Sequence, residues 1–428
     1  MKRMKLTTWI LIAMVAGIIV GWMCHNLLPT PESAKNVAGY ISLLTDVFLR
    51  LIKMIIAPLV FSTLVVGIAH MGDSKALGRI GLKTMGWFIC ASIMSLILGM
   101  VLVNVLRPGE GLNLPLPDAS ASTNLKTASL SLKEFVTHLV PKSVFEAMAN
   151  NEILQIVVFS VFFGAGAAAF GEKAGVVIDW VEQISHVMLK VTGYVMSLAP
   201  IAVFAAMAAI VTTQGLGVLW TYGVFMGEFY LGIVLLWGLL GVAGFLFLGP
   251  RITRLLALIR EPILLAFSTA SSEAAYAKTL EQLERFGASK KITSFVLPLG
   301  YSFNLDGSMM YCTFATLFIA QAYGIKLDIG QQITMLLILM VTSKGMAGVP
   351  RASLVVIAAT LATFNIPEAG LLLIMGIDQF LDMGRSATNV VGNSIATAVV
   401  AKWEGELRPE QEAQAEIDRD EGIVAARA

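Results

Sequence analysis

The chain has 428 residues, 57 % of them hydrophobic and only 14 % charged, and its mean hydropathy is +0.78. That composition excludes a disordered chain and departs from that of a soluble globular domain. With 30 Lys and Arg against 29 Asp and Glu and no dominant basic patch, nucleic acid is not an expected partner.

The chain opens on Lys2, Arg3 and Lys5, followed by an apolar run from Trp9 to Cys24. This has the form of a signal peptide, but no small-residue cleavage site interrupts it, so a retained first span is expected. A bilayer core of about 30 Å needs roughly 20 apolar residues in a helix. Charge-free runs of this kind recur at Thr7 to Pro31, Met54 to Gly72, Thr84 to Leu106, Ile153 to Gly171 and Phe229 to Pro250. The stretch from Val191 to Gly227 is too long for one helix, and Gln214-Gly-Leu-Gly217 offers a turn inside it. An all-α polytopic membrane protein follows, with membrane lipid as its surroundings.

Lys and Arg accumulate in cytoplasmic loops. Lys2, Arg3 and Lys5 therefore place the N-terminus inside, as Lys75, Arg79 and Lys83 and then Arg251, Arg254 and Arg260 place later loops inside. The polar stretch from Pro108 to Pro141 falls outside and reads as a connection. Lys290 and Lys291 are also cytoplasmic by this rule, so the segment between Arg260 and Lys290 enters and leaves on one side. Cys24, Cys90 and Cys312 lie far apart in apolar stretches, the setting of buried free thiols, and form no disulfide or zinc framework.

From Ser268 onward short apolar pieces alternate with small, polar and ionisable residues. Ser268-Thr-Ala-Ser-Ser-Glu273 precedes Pro298-Leu-Gly-Tyr-Ser-Phe-Asn-Leu-Asp-Gly-Ser308, and Thr342-Ser-Lys-Gly-Met-Ala-Gly-Val-Pro-Arg351 precedes the run from Gly376 to Asn393. Two corresponding broken elements point to a secondary transporter built from inverted repeats, with its site at the bilayer midplane. In the last helix Asp378, Asp382, Arg385, Ser386, Asn389 and Asn393 recur three and four apart and share one face. Each charge at a helix centre costs about 2.5 to 3.5 kcal/mol on insertion scales, so these must face partners or water. A structural Asp382–Arg385 pair is the plain alternative, but it does not need the adjoining Ser and Asn ladder. Asn304 and Asp306 beside Gly307 set an amide and a carboxylate where oxygens can converge on a small hard cation. The plain alternative there is a helix cap by Asp306.

At Asn304-Leu-Asp-Gly-Ser308, Gly348-Val-Pro350 and Asp382-Met-Gly-Arg-Ser-Ala-Thr-Asn389, with a weaker match at Lys53 to Phe61, the chain resembles the dicarboxylate/amino acid:cation symporter family, which includes the glutamate transporters. The resemblance covers nearly the whole chain. It implies eight spans plus two re-entrant helical hairpins, a homotrimer in the bacterial inner membrane with cytoplasmic termini, and an elevator movement. Residues 1–250 would hold six spans including the trimerisation scaffold, and 404–428 a cytoplasmic tail. The transport core would occupy 251–403, as a hairpin at 251–290, a broken span at 291–323, a hairpin at 330–366 and a broken span at 368–403.

The same resemblance implies that Arg385 pairs with the substrate's side-chain carboxylate and Asp382 with its ammonium. Ser271, Ser272, Gly348 and Asn389 would receive the main-chain carboxylate, with Ser308 and Ser386 near the substrate; Arg351, which the family pattern does not supply, would be an extra cation that contacts a dicarboxylate or an exposed side chain at the extracellular interface. The cation sites would draw on Gly300, Ser302, Asn304, Asp306, Ser92, Ser343, Asn389 and Asn393. Asn393, Met346, Phe88 and Ala91 replace oxygen ligands usual in sodium-coupled relatives, which favours protons over several sodium ions, with Asp306 and Asp382 as candidate proton carriers. Arg351 and Ala277 also depart from the family pattern.

The expected function is uptake of acidic amino acids, glutamate or aspartate, with protons or sodium, and without a cofactor. A C4-dicarboxylate carrier is the alternative, although such carriers tend to lack an acid at the position of Asp382. An intramembrane aspartyl protease would want a Gly-x-Gly-Asp context that neither Asp306 nor Asp382 has, and His25, His70, His138 and His186 are scattered. A passive channel would show a repeated filter or ring. A non-enzymatic carrier is therefore expected.

Overall fold

The computed structural model describes residues 6–69, 74–110, 137, 140–216, 222–343, 352–375, 377–409 and 412–413. Apart from one isolated antiparallel bridge, Ala288 with Leu407, the described secondary structure is helical. The N-terminal half contains α1 (Leu6–Leu27), α2 (Pro31–Ala69), α3 (Ser74–Leu106), α4 (Val144–Ala149), α5 (Ile153–Phe170), α6 (Gly175–Met196), α7 (Ala199–Gln214) and α8 (Gly223–Leu248). The second half contains α9 (Arg251–Thr269), α10 (Tyr276–Phe286), α11 (Lys290–Phe303), α12 (Asp306–Ala322), α13 (Ile329–Thr342), α14 (Ala352–Thr363), α15 (Leu372–Met375) and α16 (Asp378–Trp403).

Among the described residues, α1, α2, α3, α5 and α8 are long and apolar enough to cross a membrane. The pair α6 and α7 qualifies jointly, bent by 49°. The chain is a multi-pass, all-α membrane protein. Turns fall where the sequence supplies the backbone for them: Gly215 (φ 63°) closes α7, and Gly249 (φ 62°) followed by Pro250 closes α8 and opens α9. Two boundaries differ from the sequence reading. The second helix begins at Pro31 rather than near Met54, because its polar first half, with Glu32, Lys35, Asp46, Arg50 and Lys53, continues the helix without a break. The bend between Met196 and Ala199 falls at Ser197, whose hydroxyl donates to the Tyr194 carbonyl at 2.6 Å, just ahead of Pro200, and the sequence reading placed no break there.

The helices pack in two groups. In one, α1 lies along α7, and α2 packs on α5, α6 and α7. Gly17 and Gly21, four residues apart on α1, sit so close to Phe204 and Ala208 of α7 that a side chain would collide. This small-residue spacing lets two backbones approach without a hydrophobic driving force. In the other group α16 is central, flanked by α8, α9, α11 and α12, while α3 packs along α12. Gly99 of α3 is the counterpart there, since a Cβ would lie 2.5 Å from the Met310 carbonyl. The groups meet mainly where α11 packs on α2 and α9 on α7. All three cysteines are free; Cys312 is buried and Cys24 half-buried, but Cys90 is exposed, because it lies on the outward face of α3.

Candidate functional site

α16 carries the charged face expected of it, and nearly every residue from Leu381 to Ala401 is buried, so those polar groups are met by protein. The Arg385 side chain is 2 % exposed. Its Nη1 lies 3.2 Å from Asp378 Oδ1, its Nη2 lies 3.0 Å from Asp382 Oδ1, and its Nε donates to that same Asp382 oxygen at 3.2 Å. The guanidinium carbon sits 4.1 Å from the centre of the Tyr311 ring, and the Tyr311 hydroxyl donates to Asp378 Oδ1 at 3.0 Å. Stacking and a planar fork suit arginine and not lysine. The two carboxylates are not equivalent: the Asp378 side chain is 6 % exposed and that of Asp382 34 %. Asp378 and Tyr311 hold the arginine from within, and Asp382 is the acid that opens outward. The Ser386 hydroxyl donates to Asp382 Oδ1 at 3.5 Å.

Helix α8 fixes the height of this face. Tyr230 donates to the Phe380 carbonyl at 2.6 Å and its ring closes on Gly384; Trp237 donates to Thr388 Oγ1 at 2.8 Å. The two aromatic residues lie seven apart, on one stripe of the helix.

A second cluster forms where α11 gives way to α12. The backbone leaves helical geometry at Asn304 (φ −126°, ψ 66°) and Leu305 (φ −98°, ψ 65°), and α12 starts at Asp306. Asp306, the first residue of α12, is fully buried. It accepts from Asn304 Nδ2 at 3.0 Å and from Ser95 Oγ at 3.2 Å. Asn304 Nδ2 also reaches Asn393 Oδ1 at 3.2 Å, and Gly300 lies against that Asn393 amide so closely that a side chain would clash with it. Asn389 Oδ1 accepts from the Gly307 amide at 3.0 Å, and its Nδ2 donates to Ser308 Oγ at 3.3 Å. Asn304 Oδ1, Asn393 Nδ2 and Ser302 Oγ are buried and make no hydrogen bond. Buried polar atoms without partners are uncommon; the Asn304 and Ser302 oxygens fit a small hard cation or its water, whereas the Asn393 NH2, a donor, fits only the water.

Nine expected residues, Gly300, Asn304, Asp306, Ser308, Asp382, Arg385, Ser386, Asn389 and Asn393, thus stand in one continuous set of contacts, joined where Gly307 lies against the Arg385 backbone. Ser271 and Ser272 occupy the break between α9 and α10, where Ala270 adopts a left-handed φ of 49° and Ser271 Oγ accepts from the Ala274 amide at 3.3 Å. Ala270 and Phe380 both pack against the cluster of Ala206, Met207 and Met383, which brings this break toward the first turns of α16. Ser92 is fully buried on α3, and Ser343 ends α13, where its hydroxyl donates to the Met340 carbonyl at 3.4 Å. Met346, Gly348 and Arg351 lie outside the described residues. Sequence reasoning missed Ser95, Tyr311, Tyr230 and Trp237. Ser95 follows Ser92 by three positions on the same face of α3, a signal that was available.

Among the described residues the site is a buried cluster of charged, amide and hydroxyl side chains. The model of the sodium:dicarboxylate symporter family matches residues 6–403. The chain is 40 % identical over 422 residues to the "Proton/sodium-glutamate symport protein" of Bacillus subtilis (strain 168), covering 96 % of this chain and 95 % of the relative. It is 41 % identical over 412 residues to the "C4-dicarboxylate transport protein" of Laribacter hongkongensis (strain HLHK9), covering 95 % and 92 %. A match of this extent makes the protein a transporter and not an enzyme: it belongs to the sodium:dicarboxylate symporter family.

Proposed function

We propose that this chain is a secondary active symporter that takes up acidic amino acids, glutamate or aspartate, with protons or sodium. The observation that carries the reading is the unequal pair around Arg385. Asp378 is held inside and balances the guanidinium, whereas Asp382 occupies the same guanidinium from the open side. A substrate carboxylate must displace Asp382 from the fork, and a ligand bearing an ammonium gives the displaced carboxylate a new partner. A C4-dicarboxylate would leave two carboxylates facing Asp382 without that partner. It remains the second reading, because relatives of similar identity carry that name.

In this reading Arg385, Asp382, Ser386, Asn389 and Ser308, with Ser271 and Ser272 from the α9–α10 break, bind the substrate; Gly348 and Arg351 complete that set. Asn304, Asp306, Asn393, Ser302, Gly300 and Ser92, with Ser343, serve the coupling cation. The architecture is eight spans and two re-entrant hairpins. At about 1.5 Å per residue, α9 and α10 reach roughly 28 and 16 Å and α13 and α14 roughly 21 and 18 Å, which suits pairs that enter and leave on one side. The spans are then α1, α2, α3, α5, α6 with α7, α8, α11 with α12, and α16. The moving core takes α3 and α8 along with 251–403, since both pack on it. A homotrimer in the bacterial inner membrane, with both termini cytoplasmic and an elevator movement, completes the proposal.

The test is counterflow in proteoliposomes with labelled aspartate, glutamate, succinate and malate, followed by uptake with sodium and pH gradients imposed separately. Aspartate or glutamate exchange is expected; succinate exchange without either overturns the amino-acid reading. No exchange of any of the four overturns the symporter assignment.

A further inference from the structure

The chain does not leave the bundle when α16 ends. Glu404, one residue past the helix, has a side chain only 2 % exposed, held by two cations from α3. Its Oε2 accepts from Arg79 Nη2 at 2.7 Å and Nε at 3.0 Å, and its Oε1 from Lys83 Nζ at 2.6 Å. Lys83 Nζ also reaches the Trp403 carbonyl at 3.0 Å. Two residues on, the chain pairs with the turn between α10 and α11: the Ser289 amide donates to the Glu406 carbonyl at 3.0 Å and the Arg408 amide to the Gly287 carbonyl at 2.9 Å. Lys291 Nζ meets Glu406 Oε1 at 2.7 Å. Arg251, the first residue of α9, donates through Nη2 to the Arg408 carbonyl at 2.9 Å and to the Phe286 carbonyl at 3.3 Å. Arg408 Nη2 returns a bond to the Glu284 carbonyl at 3.1 Å.

Both open ends of the α9–α10 hairpin are therefore tied to one short segment, and that segment is tied through Glu404 to α3. The other end of the hairpin carries Ser271 and Ser272, one α10 length away. Over a lever of roughly 16 Å, a base rotation of about 10° displaces the tip by about 3 Å, the difference between contact and none at a binding site. We propose that residues 404–408 form a strap fixing the base of the α9–α10 hairpin against α3 and α16, and that Glu404 is its positioning residue. The strap sets where the serines at the hairpin tip stand relative to Arg385. Its effect on transport rests on the symporter reading above, whereas its effect on the hairpin base does not.

The Ala288–Leu407 bridge supplies the test. The bonds on either side of it run outward from the pair, the close arrangement in an antiparallel ladder, with Cα atoms about 4.5 Å apart and within reach of a disulfide. In a background with Cys24→Ser and Cys90→Ser, Glu404→Gln is combined with Ala288→Cys and Leu407→Cys and reconstituted. Amide hydrogen exchange at Ser289 and Arg408 is measured beside exchange of labelled aspartate, glutamate and succinate. Glu404→Gln is expected to speed amide exchange about five-fold and to lower the transport rate at sub-saturating substrate through a raised KM. Oxidising the cysteine pair restores both, and reduction removes the rescue. The strap is overturned if Glu404→Gln changes neither amide exchange nor rate, if the disulfide restores protection without rate, or if the disulfide alone arrests transport. Should no labelled substrate move in the background protein, the symporter reading fails and amide exchange alone judges the strap. If Glu404→Gln does not fold, Lys291→Gln, which removes the half-exposed pair with Glu406, takes its place under the same outcomes.

Discussion

Arg385→Lys separates binding from folding at the charged cluster around Arg385. Truncation to alanine would leave Asp378 and Asp382 facing one another without a cation, and removing one partner of a buried pair costs about 3 to 5 kcal/mol of stability. Lost uptake would then say little about the substrate. Lysine keeps the charge between the two acids but has no planar fork: it cannot meet Asp378 at 3.2 Å and Asp382 at 3.0 Å from separate nitrogens while lying flat on Tyr311 at 4.1 Å. A lost charge-assisted bond is worth about 1.5 to 3 kcal/mol, which at about 1.4 kcal/mol per decade is roughly a 10- to 150-fold rise in KM. The assay pairs counterflow KM for aspartate and succinate with thermal unfolding of the same detergent-purified sample. Unfolding within a few degrees of wild type and a KM raised at least tenfold are expected. An unchanged KM for every acidic substrate in a folded, inserted Arg385→Lys protein would refute the role of this arginine.

Asp382→Asn should lose aspartate exchange by at least about tenfold while succinate exchange is retained, since the carboxylate that meets an ammonium is gone; parallel loss of both, by counterflow, contradicts the ammonium role. Gly99→Ala should destabilise by about 1 to 3 kcal/mol, because its Cβ meets a backbone carbonyl on α12 that cannot step aside, while Gly86→Ala on the same helix, with open space around it, should be neutral or slightly stabilising. Thermal unfolding of the two variants checks the contrast. The bond from Arg79, with Lys83 beside it, holds the Glu404 carboxyl below its ordinary value of 4.5. A carboxylate lowered on folding stabilises fully above the ordinary value and loses that contribution as pH falls through the folded one. The unfolding temperatures of wild type and Glu404→Gln should therefore differ at about pH 6, by the equivalent of about 1 kcal/mol because Arg79 is half exposed, and converge as the pH is lowered below 4.5 and through the depressed folded value.

The apolar runs made most of the architecture legible, since a helix in lipid must be apolar over its exposed length whatever it packs against. They failed at α2, whose polar first half is helical for reasons a hydropathy run does not contain. In the site, Asp382, Arg385, Asn389 and Asn393 were legible because helical spacing alone puts them on one face. Asn304 and Asp306 were legible because an amide and an acid beside Gly307 are costly at membrane depth without partners. What spacing cannot supply is pairing across helices. Asp378 and Asp382 both lie within one turn or two of Arg385, and only the position of Tyr311 on α12 decides that the first is held inside. Ser95 is as near to Ser92 on α3 as the pattern permits, but its bond to Asp306 depends on how α3 lies along α12, which Gly99 and Met310 set.

The charges of the core also bear on why a cation should accompany the substrate at all. Three acids, Asp306, Asp378 and Asp382, stand with one Arg385 among the groups described around the site, an excess of acids over bases at a depth where a charge costs about 2.5 to 3.5 kcal/mol on insertion scales. An acidic amino acid brings a further net negative charge. A carrier moving that substrate alone would deepen the excess in the least polar part of its path. A proton on a carboxyl or a sodium ion among the Asn304, Asp306 and Asn393 oxygens reduces it, so substrate and cation each lower the electrostatic penalty of the other. By linkage the coupling is reciprocal: whichever cation raises the affinity for aspartate must itself bind more tightly when aspartate is present. Replacing Asp306 by Asn should therefore weaken the dependence of aspartate affinity on the coupling cation. In equilibrium binding to the purified protein, an unchanged cation dependence in Asp306→Asn would place the coupling site elsewhere.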